Sequence, residues 1–212
     1  MKLNSKVAWV VGASSGIGAA VARELASRGG TVAISARRDQ QLRQVSEGHM
    51  LVVPLDVTDA ASVVAAAARV HEELGPIDLA VLSAGYWKQM DPADWDTDVF
   101  DQHIRVNLAG MSNSIAAVLP GMLRRHHGVI AGIASVAGYR GLAGSEAYGA
   151  TKAAPDQPPG VAARPHRPDR GARDDDLPRV RPHRPHGRQP LPHALHHRCR
   201  PGRTIHLRRT GA

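Results

Sequence analysis

Val7-Ala-Trp-Val-Val-Gly12-Ala-Ser-Ser-Gly16-Ile-Gly18 is the stretch that decides the fold of this chain. Five apolar residues run into a glycine turn, and helical spacing begins on its far side. An unbroken apolar run of this length reads as a strand buried on both faces, as in a parallel sheet. From Gly16 to Arg28, Ile17, Val21 and Leu25 fall on one helical stripe, and Gly29-Gly30 ends it. Glycine in the turn lets the backbone approach a pyrophosphate. The helix N-terminus beyond it offers free N–H groups and the positive end of its dipole. Gly12, Gly16 and Gly18, with Ser14, Ser15 and Ile17 between them, are therefore candidate cofactor-binding residues. A plain turn after a strand is the competing reading, and the strand–turn–helix context favours the site.

The same alternation continues downstream. Thr31 to Ser35 is a second β-branched run, Leu51 to Leu55 a third, and a helix follows from about Asp59 to Leu74, capped by Thr58 or Asp59. Ile77 to Ser83 reads as a fourth strand. A long helical stretch spans Val99 to Arg125, as one helix or two, and Val129 to Ser135 reads as a fifth strand. Strand–helix alternation with short links predicts right-handed βαβ units and an α/β fold, a Rossmann-like doubly wound parallel sheet.

Three further groups carry chemistry. At the end of the second strand stands Ser35-Ala36-Arg37-Arg38, where a NAD-preferring site usually has an acidic residue for the ribose 2′-hydroxyl. Guanidinium groups suit a 2′-phosphate, so Arg37 and Arg38 favour NADP(H) over NAD(H); a solvated basic helix start is the alternative. Asp56-Val57 follows the third strand, where an adenine ring would lie, and Ser83-Ala84-Gly85 follows the fourth; Asp56 reads equally well as a turn residue or helix cap. The last group is Asn107, Ser135, Tyr148 and Lys152. Tyr148 and Lys152 are four apart and share a helix face. An ammonium beside a phenol favours the phenolate, lowering a pKa of about 10 toward one suited to acid/base work near neutrality. Tyr86-Trp87 and Tyr139-Arg140 are candidates to line the substrate pocket, with ordinary packing or surface as the alternative.

Taken together, residues 5–154 resemble the short-chain dehydrogenase/reductase family. Gly12, Gly16 and Gly18 match its Gly-x-x-x-Gly-x-Gly loop, Asp56 its adenine-site aspartate, and Asn107, Ser135, Tyr148 and Lys152 its catalytic tetrad. Val11 stands where many members have Thr, and Leu82-Ser83-Ala84-Gly85 replaces the usual Asn-Asn-Ala-Gly. The resemblance implies hydride transfer between NADP(H) and a small carbonyl or alcohol substrate. Tyr148 would exchange the proton, Lys152 would hold the ribose, Ser135 would orient the carbonyl, and Asn107 would support a water-linked relay. Both Tyr148 and Lys152 would then also touch the cofactor. Family members commonly form homodimers or homotetramers, which is the expected assembly of the parent enzyme.

Composition changes abruptly at Pro155. Residues 1–154 carry 14 Lys+Arg against 14 Asp+Glu, whereas residues 155–212 carry 13 Arg against 5 Asp, so the whole net charge of +8 lies in the tail. That tail holds 11 of the 15 Pro and 7 of the 12 His, and no Phe, Tyr or Trp. So little apolar bulk cannot offset chain entropy, so disorder is expected there, with residues 1–154 as an incomplete dinucleotide-binding domain cut after the fifth strand. Arginines among prolines could bind nucleic acid through counterion release, but the tail has no aromatic for stacking and Asp174-Asp175-Asp176 interrupts it. The tail histidines fit no closed ligand set, and no metal is expected. The lone cysteine, Cys199, forbids an intrachain disulfide. No unbroken apolar run approaches the roughly 20 residues of a bilayer span, and no signal-peptide core follows Met1, so a cytoplasmic location without membrane contact is expected.

The tail also reads as the right gene in the wrong frame. When the last two bases of each tail codon are joined to the first of the next, Pro155-Asp156-Gln157 permits Leu-Ile-Asn, an ordinary continuation of the Tyr/Lys helix. Arg170 to His183 permits Gly-Val-Arg-Val-Thr-Thr-Ile-Cys-Pro-Gly-Phe-Val-Arg-Thr, similar to the family's sixth strand and its Pro-Gly cofactor loop. These strings are compatible with the shifted codons and are not a translation of them. One extra base, or two lost, near the Ala154 codon would produce this pattern.

Overall fold

A computed structural model describes Leu3 and residues 5–153. Everything expected of residues 155–212 lies outside them.

Alternation along the first strand, β1 (Val7–Val11), builds the molecule. Val7, Trp9 and Val11 face one side of the sheet, and Ala8 and Val10 face the other. All five are buried, which is what an apolar run without polar interruptions requires. After β1 come α1 (Gly16–Ser27), β2 (Thr31–Ser35), α2 (Asp39–Ser46), β3 (Leu51–Val52) and α3 (Ala60–Leu74). Next are β4 (Leu79–Leu82), α4 (Thr97–His103), a π-helical segment (Ile104–Ala109) and α5 (Gly110–Arg124). β5 (Val129–Gly132), a 3-10 turn (Val136–Gly138) and α6 (Glu146–Ala153) complete the described chain. The five strands run in the order β3-β2-β1-β4-β5, and every pairing is parallel.

Helices cover both faces. One core packs Ala19 and Ala22 of α1 and Leu42 and Val45 of α2 against Ala8, Val10, Val32 and Ile34. The other packs Val63, Ala67 and Val70 of α3 and Val118 and Met122 of α5 against Trp9, Val11, Ala33 and Leu82. Trp9 is wholly buried, and its indole Nε1 donates to Ser35 Oγ at 2.9 Å, so the one polar atom of this side chain is satisfied inside the sheet. Burying each such apolar side chain contributes roughly 1.5–3 kcal/mol. The strand order reverses between β2-β1 and β4-β5, and this reversal opens a crevice at the carboxyl ends of β1 and β4, the usual ligand position in open α/β sheets.

The structure departs from the sequence reading in several places. A helix start was only the alternative reading of Arg37-Arg38, yet α2 begins directly after Arg38; its stretch is polar, with Leu42 and Val45 supplying the buried contacts and an Asp39–Arg43 ion pair on its surface. β3 stops at Val52 and not Leu55, because Pro54 has no N–H for the ladder; Val53 and Leu55 still donate to Ile34 O and Ala36 O. α3 is capped by Asp59, whose carboxylate accepts from Ala61 N at 2.9 Å, and not by Thr58. β5 ends at Gly132, so Ser135 lies beyond the strand.

The stretch Thr97–Arg124 is one 28-residue run of helical turns, long and apolar enough by length and composition to cross a membrane. Its buried polar groups argue for a core role: His103, Asn107 and Ser114 are each sunk in the domain with hydrogen-bond partners.

Candidate functional site

The glycine loop is shaped by what lies behind it. Gly12 has φ +91°, and a Cβ there would sit 2.6 Å from the carbonyl carbon of Ser83 and against the backbone of Ala84. Only glycine fits, and the fit presses the loop after β1 onto Ser83-Ala84-Gly85 after β4. A Cβ on Gly18 would meet Gly12 O, so α1 starts as close to the loop as the chain permits. Ser15 occupies the N-cap of α1 without making a side-chain cap bond, which leaves the first-turn N–H groups open. The hydroxyls of Ser14 and Ser15 instead accept from Arg38 Nη2, at 2.9 and 3.1 Å.

These elements border a cleft of about 460 Å³. It brings together Gly12, Ser14, Ser15, Ile17, Arg37, Arg38, Asp56, Val57, Ser83, Ala84, Gly85, Tyr148 and Lys152. Tyr86 and Trp87 also line it, whereas Tyr139 and Arg140 border a separate depression beside Leu142 and Glu146 and so do not reach the cleft. Gly16 and Gly18 do not line it: Gly18 is buried at the start of α1, and Gly16 is exposed. Asp56 lines the cleft and is also a turn residue, its Oδ1 accepting from Thr58 N at 2.9 Å and Thr58 Oγ1 at 2.8 Å.

Asn107 and Ser135 do not line the cleft. Asn107 is 2 % exposed and acts as a brace. Its Oδ1 accepts from Tyr86 N at 2.7 Å, and its Nδ2 donates to Tyr86 O at 3.0 Å and Thr151 Oγ1 at 2.9 Å. The π-helical turn carrying it aims the amide sideways at the loop after β4. Ser135 heads the 3-10 turn, and its Oγ accepts from Ala137 N at 3.3 Å.

Lys152 is 5 % exposed, and its Nζ donates to Ile133 O at 2.7 Å. Burial lowers its pKa from the usual 10.5, because desolvation penalises the charged form. The ammonium lies 5.7 Å from the centre of the Tyr148 ring. Thr151, between the two residues, is fully buried; its hydroxyl donates to Tyr148 O at 2.9 Å and accepts from Asn107. Sequence reasoning passed over Thr151 and also His103, one helical turn before Asn107. The 103/107 spacing of four was the available signal.

Comparison with known proteins fits this geometry. The family model described as short chain dehydrogenase matches residues 6–167. The chain belongs to the short chain dehydrogenase family. It is 40 % identical over 156 residues to "Glycine betaine reductase ATRR" of Emericella nidulans, matching over 71 % of this chain and 12 % of that protein. It is 37 % identical over 161 residues to "Dehydrogenase/reductase SDR family member 7" of Mus musculus, over 71 % of this chain and 48 % of the mouse protein. Thus the chain spans about half the length of the mouse relative, and far less of the fungal one. Among solved structures, the closed form of serine dehydrogenase complexed with NADP+ superposes with a TM-score of 0.68 at 33 % identity, over 71 % of this chain and 62 % of that one. Oxidoreductase chemistry with a nicotinamide nucleotide is thereby the chemistry of this family.

Proposed function

We propose that residues 1–154 form the cofactor half of an NADP(H)-preferring dehydrogenase that acts on a small carbonyl or alcohol. One observation carries this reading: a single cleft has Arg37, Arg38 and Asp56 at one end and Tyr148 and Lys152 at the other. The residues present suit a dinucleotide, since the glycine loop leaves room for backbone approach and the α1 N-terminus is uncapped by its own serine. Arg38, held over Ser14 and Ser15, puts a guanidinium where an acidic residue would select NAD(H), and this supports the NADP(H) preference.

The nicotinamide, when bound, supplies the hydride chemistry. Tyr148 would hold and release the proton at its phenol oxygen. Lys152 would place a positive charge beside that ring and bind the ribose, and Ser135 would hold the substrate oxygen. Asn107 would keep the Tyr86 wall in register with α6 through its bonds to Tyr86 and Thr151. Preorganised donors of this kind stabilise charge that develops in the transition state.

We further infer a cytoplasmic parent enzyme that assembles as a homodimer or homotetramer, and a tail at 155–212 that is read out of frame. The step in charge and proline content at Pro155 supports the frame reading, and resequencing the Ala154 codon in independent isolates tests it. An unbroken frame encoding this same tail in relatives sinks it.

A second reading is favoured by the sheet edge. Among the described residues β5 has a partner on one side only, and Pro155 and Pro158-Pro159 disfavour extension of α6. On this reading the 212-residue chain binds cofactor with little turnover. NADPH binding and carbonyl-dependent NADPH oxidation, measured for this chain and for a frame-restored version, distinguish the two. Failure of both forms to bind NADPH refutes the cofactor assignment, and equal turnover by both refutes the second reading.

A further inference from the structure

His103 closes α4 and is completely buried, whereas the other histidines among the described residues, at 49, 71, 126 and 127, are exposed. Its Nδ1 lies 2.7 Å from Val99 O. A carbonyl only accepts, so Nδ1 carries a hydrogen. Its Nε2 lies 3.3 Å from Lys88 N. A backbone N–H only donates, so Nε2 carries a lone pair. The two partners together define a neutral imidazole in its Nδ1–H form. The ring is also edge-on to two tyrosines, 4.8 Å from the centre of Tyr86 at 66° and 6.4 Å from the centre of Tyr148 at 68°.

This one side chain therefore meets two residues that line the cleft, Tyr86 and Tyr148, and Lys88 just beyond the lining Trp87. It ties the segment after β4 to α4 through Lys88, backs the Tyr86 ring that lines the cleft, and lies against the ring of Tyr148. Asn107 holds the same segment two residues earlier, at both polar backbone atoms of Tyr86. Between these two anchors stands Trp87, which is 57 % exposed and lines the cleft, its Nε1 reaching Ser145 Oγ at 3.4 Å. A phenylalanine at 103 would fill the space but leave the Lys88 N–H without its acceptor. A glutamine could still offer an acceptor to Lys88.

We propose that His103 is a positioning residue: as a neutral Nδ1–H imidazole it fixes the Tyr86–Lys88 wall of the cleft and the attitude of the Tyr148 ring. The inference rests on the reading of Tyr148 as the proton-transfer group. Nothing in it requires His103 to reach substrate or exchange a proton.

The first test needs no turnover. In the 212-residue chain labelled with 15N-histidine, the His103 ring N–H, assigned by its loss in His103→Gln, should report a neutral ring protonated at Nδ1. A protected ring protonated at Nε2, or at both nitrogens, overturns the proposal. The second test is amide exchange at Lys88 in His103→Phe and His103→Gln. Loss of the acceptor should speed exchange by about tenfold in the phenylalanine variant, while glutamine keeps it near the unsubstituted rate. Unchanged exchange in the phenylalanine variant overturns the proposal, and the ring-tautomer measurement stands alone if that variant does not fold. In the frame-restored chain, His103→Phe should lower kcat by about tenfold with the NADPH Kd within about twofold, and His103→Gln should recover most of it. A parallel rise in Kd and no change in kcat counts against positioning. If no form binds NADPH, the dehydrogenase reading fails, and the tautomer and exchange results still decide the role of His103 in the wall.

Discussion

Gly138→Ala is the sharpest perturbation that the geometry offers. Gly138 ends the 3-10 turn that follows Ser135 and lies directly under the last turn of α6. An added Cβ would press on Lys152 O, lie 2.7 Å from the Lys152 carbonyl carbon and 2.9 Å from Ala153 N, all of them backbone atoms. Ordinary contact begins at 3.4 Å, so α6 or the turn must retreat by about 1 Å from the closest atom, Lys152 O, and no side chain can swing aside to relieve it. Retreat is opposed on the far side by the Asn107–Thr151 and Lys152–Ile133 bonds. Overpacking of this kind costs about 1–3 kcal/mol, which the reduced backbone entropy of alanine offsets by at most about 1 kcal/mol. For a domain of this size the melting temperature should fall by a few degrees, on the order of 2–4 °C for each kcal/mol.

The same displacement moves Lys152 relative to the Ser135 turn. A misplacement near 1 Å can cost on the order of 10²-fold in rate, so in a form that turns over, kcat should fall far more than NADPH affinity. Gly141→Ala is the control, because a Cβ at Gly141 meets nothing within 4 Å; its stability should stay within about 0.5 kcal/mol of the unsubstituted chain. Thermal melts followed by circular dichroism, with NADPH titrations on the same samples, make the comparison. Gly138→Ala melting level with Gly141→Ala would refute the claim that the turn and α6 are in hard contact.

Three further outcomes are expected. Arg38→Gln should weaken NADPH binding by about tenfold or more while leaving NADH binding little changed, because a charge-assisted partner of the 2′-phosphate is lost; equal losses for both nucleotides in fluorescence titrations would remove Arg38 from that role. Tyr148→Phe should leave folding and NADPH affinity intact but reduce turnover of the frame-restored protein by about 10²–10⁴-fold, and a smaller loss in a steady-state assay would take the phenol out of proton transfer. Burial lowers the Lys152 pKa below 10.5, so between its folded and unfolded values the unfolded chain binds more protons and stability rises with pH. Relative to Lys152→Met, the urea midpoint of the unsubstituted chain should therefore climb as pH rises toward 10.5, and a difference that falls with pH contradicts the buried ammonium.

The strands and the cofactor end were legible in the sequence because local pattern and tertiary demand coincide there. Val7 to Val11 is apolar on both faces since both faces of β1 are covered, and Gly12 marks the place where Ala84 leaves no room for a side chain. Asp56 was readable as either a turn residue or a site residue; the structure puts it in the turn after β3 and also on the wall of the cleft. Helix α2 was legible only as an alternative at its start, since its polar surface hides the two contacts, Leu42 and Val45, that hold it. Tyr139 and Arg140, read either as substrate-pocket or as surface residues, lie off the cleft for a different reason. Sequence proximity to Tyr148 says nothing of direction, and the 3-10 turn after Ser135 carries them away from the cleft.

What stayed hidden is the support behind Tyr148 and Lys152. Asn107, Thr151 and His103 each satisfy backbone or hydroxyl groups of other elements, across separations of 44 residues for Asn107 and Thr151 and 15 for His103 and Lys88. No helical or strand period encodes such pairings, because they depend on which elements the fold brings together. They also explain a feature of the Tyr148-to-Lys152 pair. Four-residue spacing puts the two on one helix face, yet a helix as short as α6 has little stability alone. Its placement comes from Asn107 gripping Thr151, from Lys152 bonding Ile133 O, and from Gly138 admitting the helix to close range. All three anchors lie within residues 5–153. The geometry that brings Tyr148 and Lys152 to the cleft is thus built by the described residues themselves.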